Sequence, residues 1–161
     1  MTDFSALLQP DRGQPARTIH LIDKAGFDAF LSAQPERARA AAAAQMLKAE
    51  GYAFAILPGD GADDWSVVSV VANVAELSSW CLAKLAAALP GGTYRLASAN
   101  KGGDPGPAMF GWLTAQHRFN RYKPAAEPEP ARVLLSTEPA RMAAVSREAA
   151  AVCMVRDLVN T

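Results

Sequence analysis

Residues 65–72 read WSVVSVVA, a stretch that is half valine. A strand with one wet face alternates apolar and polar residues, because successive side chains point to opposite sides. This run does not alternate cleanly, so it has to be covered on both faces, as the interior strand of a layered sheet is. Further strand-like runs stand at 18–22 (TIHLI), 52–57, 93–97 and 132–136 (RVLLS). Between them lie helix-period segments at 27–33, 35–50, 108–119 and 137–159, and one behind Asn73. Strands alternating with helices predict an α/β fold: three layers, with a mixed, largely parallel sheet flanked by helices.

Local chemistry refines this outline. Residues 1–16 read as an irregular arm broken by Pro10, Gly13 and Pro15. His20 alternates with Ile19 and Leu21 and is expected to face the opposite side of its strand. The Ala-rich helix over 35–50 has little bulk and is expected to pack close to the sheet, stopping at Gly51. Asn73 with Glu76 forms a capping-box variant opening a helix that carries Leu77, Trp80, Cys81, Leu85 and Leu89, with Trp80 as a core anchor. In the final helix Thr137 is the expected N-cap, and Met142, Val145, Ala149, Val152 and Val159 form the buried stripe. A helix of roughly 20 residues is about 30 Å long.

The chain has 161 residues, within the range of one domain. Lys plus Arg and Asp plus Glu number 16 each, so no net charge draws the domain to nucleic acid or an anionic membrane. Cys81 and Cys153 sit among apolar residues and are expected to be small buried thiols. No basic and then apolar leader opens the sequence, and no apolar run approaches the roughly 18 residues of a membrane span. A reducing, cytoplasmic setting is the expectation.

Few residues converge on chemistry. Gly102, Gly103 and Gly106 precede a helix and could cradle a phosphate, but their spacing fits neither common phosphate-loop pattern, and Asp104 would repel an anion. Turn chemistry is the better account. Arg118, Arg121 and Lys123, interleaved with Phe119 and Tyr122, form a small basic and aromatic cluster. They are read as the cationic end of a helix, favoured by its dipole. His117 and Cys153 are an acid–base and a nucleophile type, with nothing in the sequence to order them into a dyad. Asp63 and Asp64 read as solvated turn residues.

Two stretches resemble a known family. Residues 148–161, EAAAVCMVRDLVNT, are similar to the connecting helix of the leucyl (cytosol) aminopeptidase family, which ends in an RDLVNTP run. Gly111, Trp112 and Leu113, followed by Arg118-Phe119-Asn120-Arg121-Tyr122-Lys123, resemble the GWLLGQYRFDRYK segment of bacterial members, with His117 and Asn120 as departures.

The resemblance implies a macro-like α/β N-terminal domain at 1–136 and, at 137–161, a connecting helix leading to a catalytic domain beyond Thr161. In that family two divalent metals, manganese or zinc, polarise the scissile carbonyl and activate water. Their ligands, including an NTDAEGR run, follow the VNTP motif. The implied function is therefore a non-catalytic domain of a metallo-aminopeptidase acting on peptides, with roles in assembly or active-site access. The implied partners are its own catalytic domain and the sister subunits of a hexamer. No catalytic, cofactor-binding or metal residue is assigned within 1–161, and Asp157 and Asn160 are read as junction residues. The alternative is an independent macro-like domain binding a nucleotide-sugar at the Gly102–Gly106 loop. DNA binding is a weaker third, disfavoured by the charge balance.

Overall fold

A computed structural model describes residues 2–97, 100, 103–119, 122, 127 and 129–161. The elements run α1 (Phe4–Leu7), β1 (Leu8–Pro10), β2 (Arg17–Ile22), α2 (Phe27–Ser32), α3 (Glu36–Ala44), β3 (Phe54–Pro58), β4 (Trp65–Val70), α4 (Trp80–Ala88), β5 (Gly92–Leu96), α5 (Gly106–Ala115), β6 (Arg132–Ser136) and α6 (Pro139–Val159). The strands form one six-stranded sheet in the order β1-β6-β5-β2-β4-β3. All neighbours are parallel except β3 and β4, which form an antiparallel pair. This is the expected three-layer, mostly parallel α/β fold.

β4 is the interior strand its valines require. Val67, Val68, Ser69 and Val70 are all buried. Val67 and Val71 face the larger core, built with α1, α4, α5 and α6. Val68 and Val70 face a smaller core on the other side, where Ala38 and Ala42 of α3 fit against Ala55 and Leu57 of β3. Small alanines let α3 lie close to the sheet. His20 points away from the larger core as alternation demands, with its ring 5.3 Å from that of Phe30.

Several sequence expectations change. The arm is not wholly irregular: Leu8–Pro10 adds an edge strand paired with Leu134–Ser136 of β6. Only three residues long and ending in a proline tolerated at an edge, it carries almost no periodic pattern. Asp11 then holds Arg95 through two hydrogen bonds of 3.0 and 3.1 Å, fixing the arm over β5.

α3 stops at Ala44, before Glu50, because the chain turns left-handed at Met46 (φ 55°). Its C-cap, Gln45, turns its carboxamide to the free edge of β3, donating to Ile56 O at 2.7 Å and accepting from Ile56 N at 2.9 Å. One side chain thus occupies both outward groups of Ile56, in an edge strand open to another chain.

α4 begins at Trp80 instead of after Asn73, whose side chain closes a turn onto the Ala75 N–H. In this register Cys81, Leu82, Leu85 and Ala86 point inward. Trp80 lies across the helix from them and is 68% exposed, so it is not a core anchor. Thr137 is not the N-cap of α6; Glu138 is, and Ser136 Oγ accepts from its N–H. The buried stripe of α6 is Met142, Val145, Ala149 and Cys153. Val159 is 80% exposed, because it lies off the face of α6 that carries this stripe.

Candidate functional site

In an open α/β sheet, ligands bind beyond the carboxyl ends of the strands where the strand order reverses. Here that point lies between β2 and β5, since the chain leaves β2 for the β3 edge, returns through β4, and then crosses over to β5 and on to β6. The place is filled by Asn100. Its carboxamide accepts from Leu21 N at 3.0 Å and donates to Leu21 O at 2.7 Å. β2 therefore continues to be paired after β5 has ended. The neighbouring cleft, lined by Leu96, Asn100, Pro105, Met109, Leu134 and Ser136, has a volume of only about 40 Å³.

The glycine loop beside it is also occupied by the protein itself. Asp104 Oδ1 accepts from Gly106 N at 2.9 Å, at the start of α5. Arg141 of α6 grips the same carboxylate with two nitrogens. These hydrogen bonds, first from Gly106 and then from Arg141, hold the Asp104 carboxyl below its ordinary value. An anion approaching the α5 N-terminus would meet a fixed carboxylate. Gly102 lies outside the described residues, as do Asn120, Arg121 and Lys123.

The GWL stretch has a packing explanation. A Cβ on Gly111 would lie 1.8 Å from Ser79 O and 2.7 Å from Ser79 C, both main-chain atoms, so only glycine lets α5 approach the start of α4. Trp112 is fully buried, edge-on to Tyr94 at 5.8 Å, and its indole N–H donates to Arg132 O at 3.0 Å. Gln116 shares that oxygen at 2.9 Å and accepts from Arg132 N at 3.0 Å. Together they tie the end of α5 to the start of β6.

The second stretch meets the terminal helix. His117 Nε2 is 2.7 Å from Asp157 Oδ1, and His117 Nδ1 is 3.0 Å from Thr2 Oγ1. A carboxylate only accepts, so Nε2 carries the proton facing Asp157, and Nδ1 shares a hydrogen bond with the Thr2 hydroxyl. Tyr122 donates its hydroxyl to Thr161 O at 3.3 Å. The two family-like stretches, distant in sequence, thus form one junction at the end of α6. Arg118 is not part of a helix end, because α5 stops at Ala115; it pairs with Glu129.

This junction borders a cleft of about 850 Å³, lined among others by Phe4, His117, Arg132, Cys153, Met154 and Asp157. His117 and Cys153 therefore share a cleft, but each is committed elsewhere. The ring is held by Thr2 and Asp157, and burial pushes the Cys153 thiol above its ordinary value, away from the nucleophilic thiolate. Hydroxyl, imidazole and carboxylate have the composition of a nucleophilic relay. A relay of that kind needs, in addition, fixed donors aimed at a developing oxyanion, and no catalytic role is assigned to these three groups. Asp64 accepts from Asp60 N at 3.2 Å and closes the β3–β4 turn. Among the described residues no group of three or more His, Cys, Asp or Glu side chains is placed to hold a metal ion. No described helix is long and apolar enough to cross a membrane.

Residues 18–136 match the family model described as the M17 aminopeptidase, N-terminal domain. The chain belongs to that family. Among solved structures it is similar to the cytosol aminopeptidase of Coxiella burnetii, with TM-score 0.80, 19% identity, and coverage of 98% of this chain and 34% of that one. It also resembles the bottromycin maturation enzyme BotP, with TM-score 0.57, 22% identity, and coverage of 91% of this chain and 33% of that one. At these identities the likeness is one of fold. The chain spans about a third of the length of each. No curated protein sequence matches it. The M17 N-terminal domain match ends at Ser136, where α6 is about to begin, and takes in the whole GWL stretch whose packing is described above.

Proposed function

We propose that residues 1–136 are a non-catalytic N-terminal domain and residues 137–161 a connecting helix in a larger cytoplasmic metallo-aminopeptidase. The carrying observation is the match of residues 18–136 to the M17 aminopeptidase N-terminal domain. The chain's span of about a third of the length of the aminopeptidase it resembles supports the same reading. In this reading the two divalent metals, manganese or zinc, and the residues that use them lie on polypeptide after Thr161. The side chains described here form no such site, and no catalytic step is assigned to them.

The domain's task is mechanical. It holds α6 at a set angle, through the core under Met142, Val145, Ala149 and Cys153 and through the His117–Asp157 and Tyr122–Thr161 bonds at its end. Whatever follows α6 is thereby placed relative to the body. Assembly with sister subunits into a hexamer, and control of peptide access to the active site, are the roles this geometry suits. Nothing described favours the nucleotide-sugar reading: Asn100 and Asp104 already satisfy the groups such a ligand would use.

The test is an aminoacyl-anilide assay with Mn²⁺ or Zn²⁺ on the 161-residue chain and on the product of the reading frame continued past Thr161. Release by the longer product alone is expected. Hydrolysis by the 161-residue chain, or a frame that ends at Thr161, overturns the proposal.

A further inference from the structure

Three arginines are half-buried among the described residues: Arg17, Arg95 and Arg132. Two of them are matched. Arg95 donates to the Asp11 carboxylate and to Gln14 O. Arg132 donates to Leu89 O and pairs with Glu129. Arg17 has no such partner among the described residues, and its Nε–H is buried without an acceptor.

The position makes this unusual. Arg17 opens β2 and stands opposite Tyr94 of β5. Two residues on, Ile19 faces the larger core, so Arg17 lies on the same side of the strand. Its neighbours there are aromatic: Tyr94 is fully buried, and Trp65 packs on the same core. The guanidinium carbon lies 4.1 Å from the centroid of the Trp65 ring. On another side Gly92 leaves room for Nη1, since a Cβ there would stand 3.4 Å from it. A cation at a core-facing strand position is costly unless it is matched. The face of an indole offsets part of that cost and leaves the N–H groups at the guanidinium edge unanswered.

We propose that Arg17, flanked by Trp65 and Gly92 where β2, β4 and β5 begin, is a binding site for a carboxylate. A guanidinium is a planar fork, and its counterpart is a planar carboxylate taken by two N–H groups at once. Phosphate fits less well. α4 ends at Ala88, just before Gly92, and brings the negative end of its dipole to this end of the sheet. One cation in that field balances a single negative charge and not two. Arg132 adds to the positive potential: burial raises the Tyr94 pKa, and the charges of Arg17 and Arg132 both act against that rise. Glu129 already answers Arg132, which leaves Arg17 as the contact.

The experiment follows the arginine Nε–H signals of the 15N-labelled 161-residue chain by NMR. Sodium acetate is the first probe, and sodium chloride at equal ionic strength is the control. The Arg17 signal should move saturably with acetate, half-saturating at about 30 mM, the strength of a hydrogen bond to a charged group. A short blocked peptide with one glutamate as its only charge is the second probe. Binding at least about fivefold tighter than acetate assigns the carboxylate to another polypeptide, and equal or weaker binding assigns it to a small organic acid. In a second readout, acetate at about 0.3 M should raise the melting temperature by about 3 °C more in the native chain than in Arg17→Met. An Arg17 signal that moves no further in acetate than in chloride overturns the proposal, and that measurement needs no variant. Equal rises in the native chain and in a folded Arg17→Met overturn it as well.

Discussion

The imidazole Nε2 of His117 stands 2.7 Å from Oδ1 of Asp157, joining the end of α5 to the last turn of α6. His117 is 9% exposed in its side chain and Asp157 38%, so the bond is partly shielded from water. His117→Ala or Asp157→Asn should cost about 1–2 kcal/mol in urea unfolding, the range of a partly screened charge-assisted hydrogen bond. Amide exchange should accelerate first at residues 156–161. If exchange there is unchanged, the bond does not hold the helix end.

Gly111→Ala should destabilise the domain by about 3 kcal/mol, at the upper end of overpacking costs. The obstacle is Ser79 main chain, which cannot rotate away as a side chain can. Thermal denaturation followed by circular dichroism measures it. In an isolated helix the same change would stabilise, so a raised melting temperature would show that α4 and α5 separate easily.

His20 gives the fold a pH dependence. Burial beside Phe30 lowers its pKa from the ordinary 6.5. The unfolded chain therefore binds a proton more readily than the folded one, and stability rises with pH through that window. The contribution is complete above 6.5 and is lost as pH falls towards the lowered folded value. Denaturation midpoints at pH 7.5 and 5.5 should differ, and His20→Gln should narrow the difference.

Gln45→Ala removes two hydrogen bonds from the free edge of β3. The loss in stability should be about 1 kcal/mol, because water can replace the carboxamide at this exposed site. The larger effect should be faster exchange at Ile56 and faster aggregation on mild heating, read by light scattering. Equal aggregation rates would mean that the edge is protected in another way.

Much of the sheet was legible because burial on both faces leaves a mark on composition: Val67, Val68 and Val70 have to be apolar, and they are. β1 was illegible because three residues cannot display a period, and its place is fixed by pairing with β6 far along the chain. Trp80 misled because bulk and apolarity suggest an interior, while the phase of α4 is set by Leu82, Leu85 and Leu89. The GWL and RDLVNT stretches stood out as residues, but their meeting through His117 and Asp157 is a fact of tertiary packing. Gln45 and Asn100 escaped notice altogether, since a carboxamide that mimics a strand has no neighbours in sequence to announce it.

Asn100 has one more consequence. A sheet of this topology ordinarily has a doorway where its strand order turns back, and here a single side chain serves as the bolt. The architecture of a receptor has been kept while its entrance is shut from inside. In the function proposed above, that bolt stiffens the body on which α6 rests.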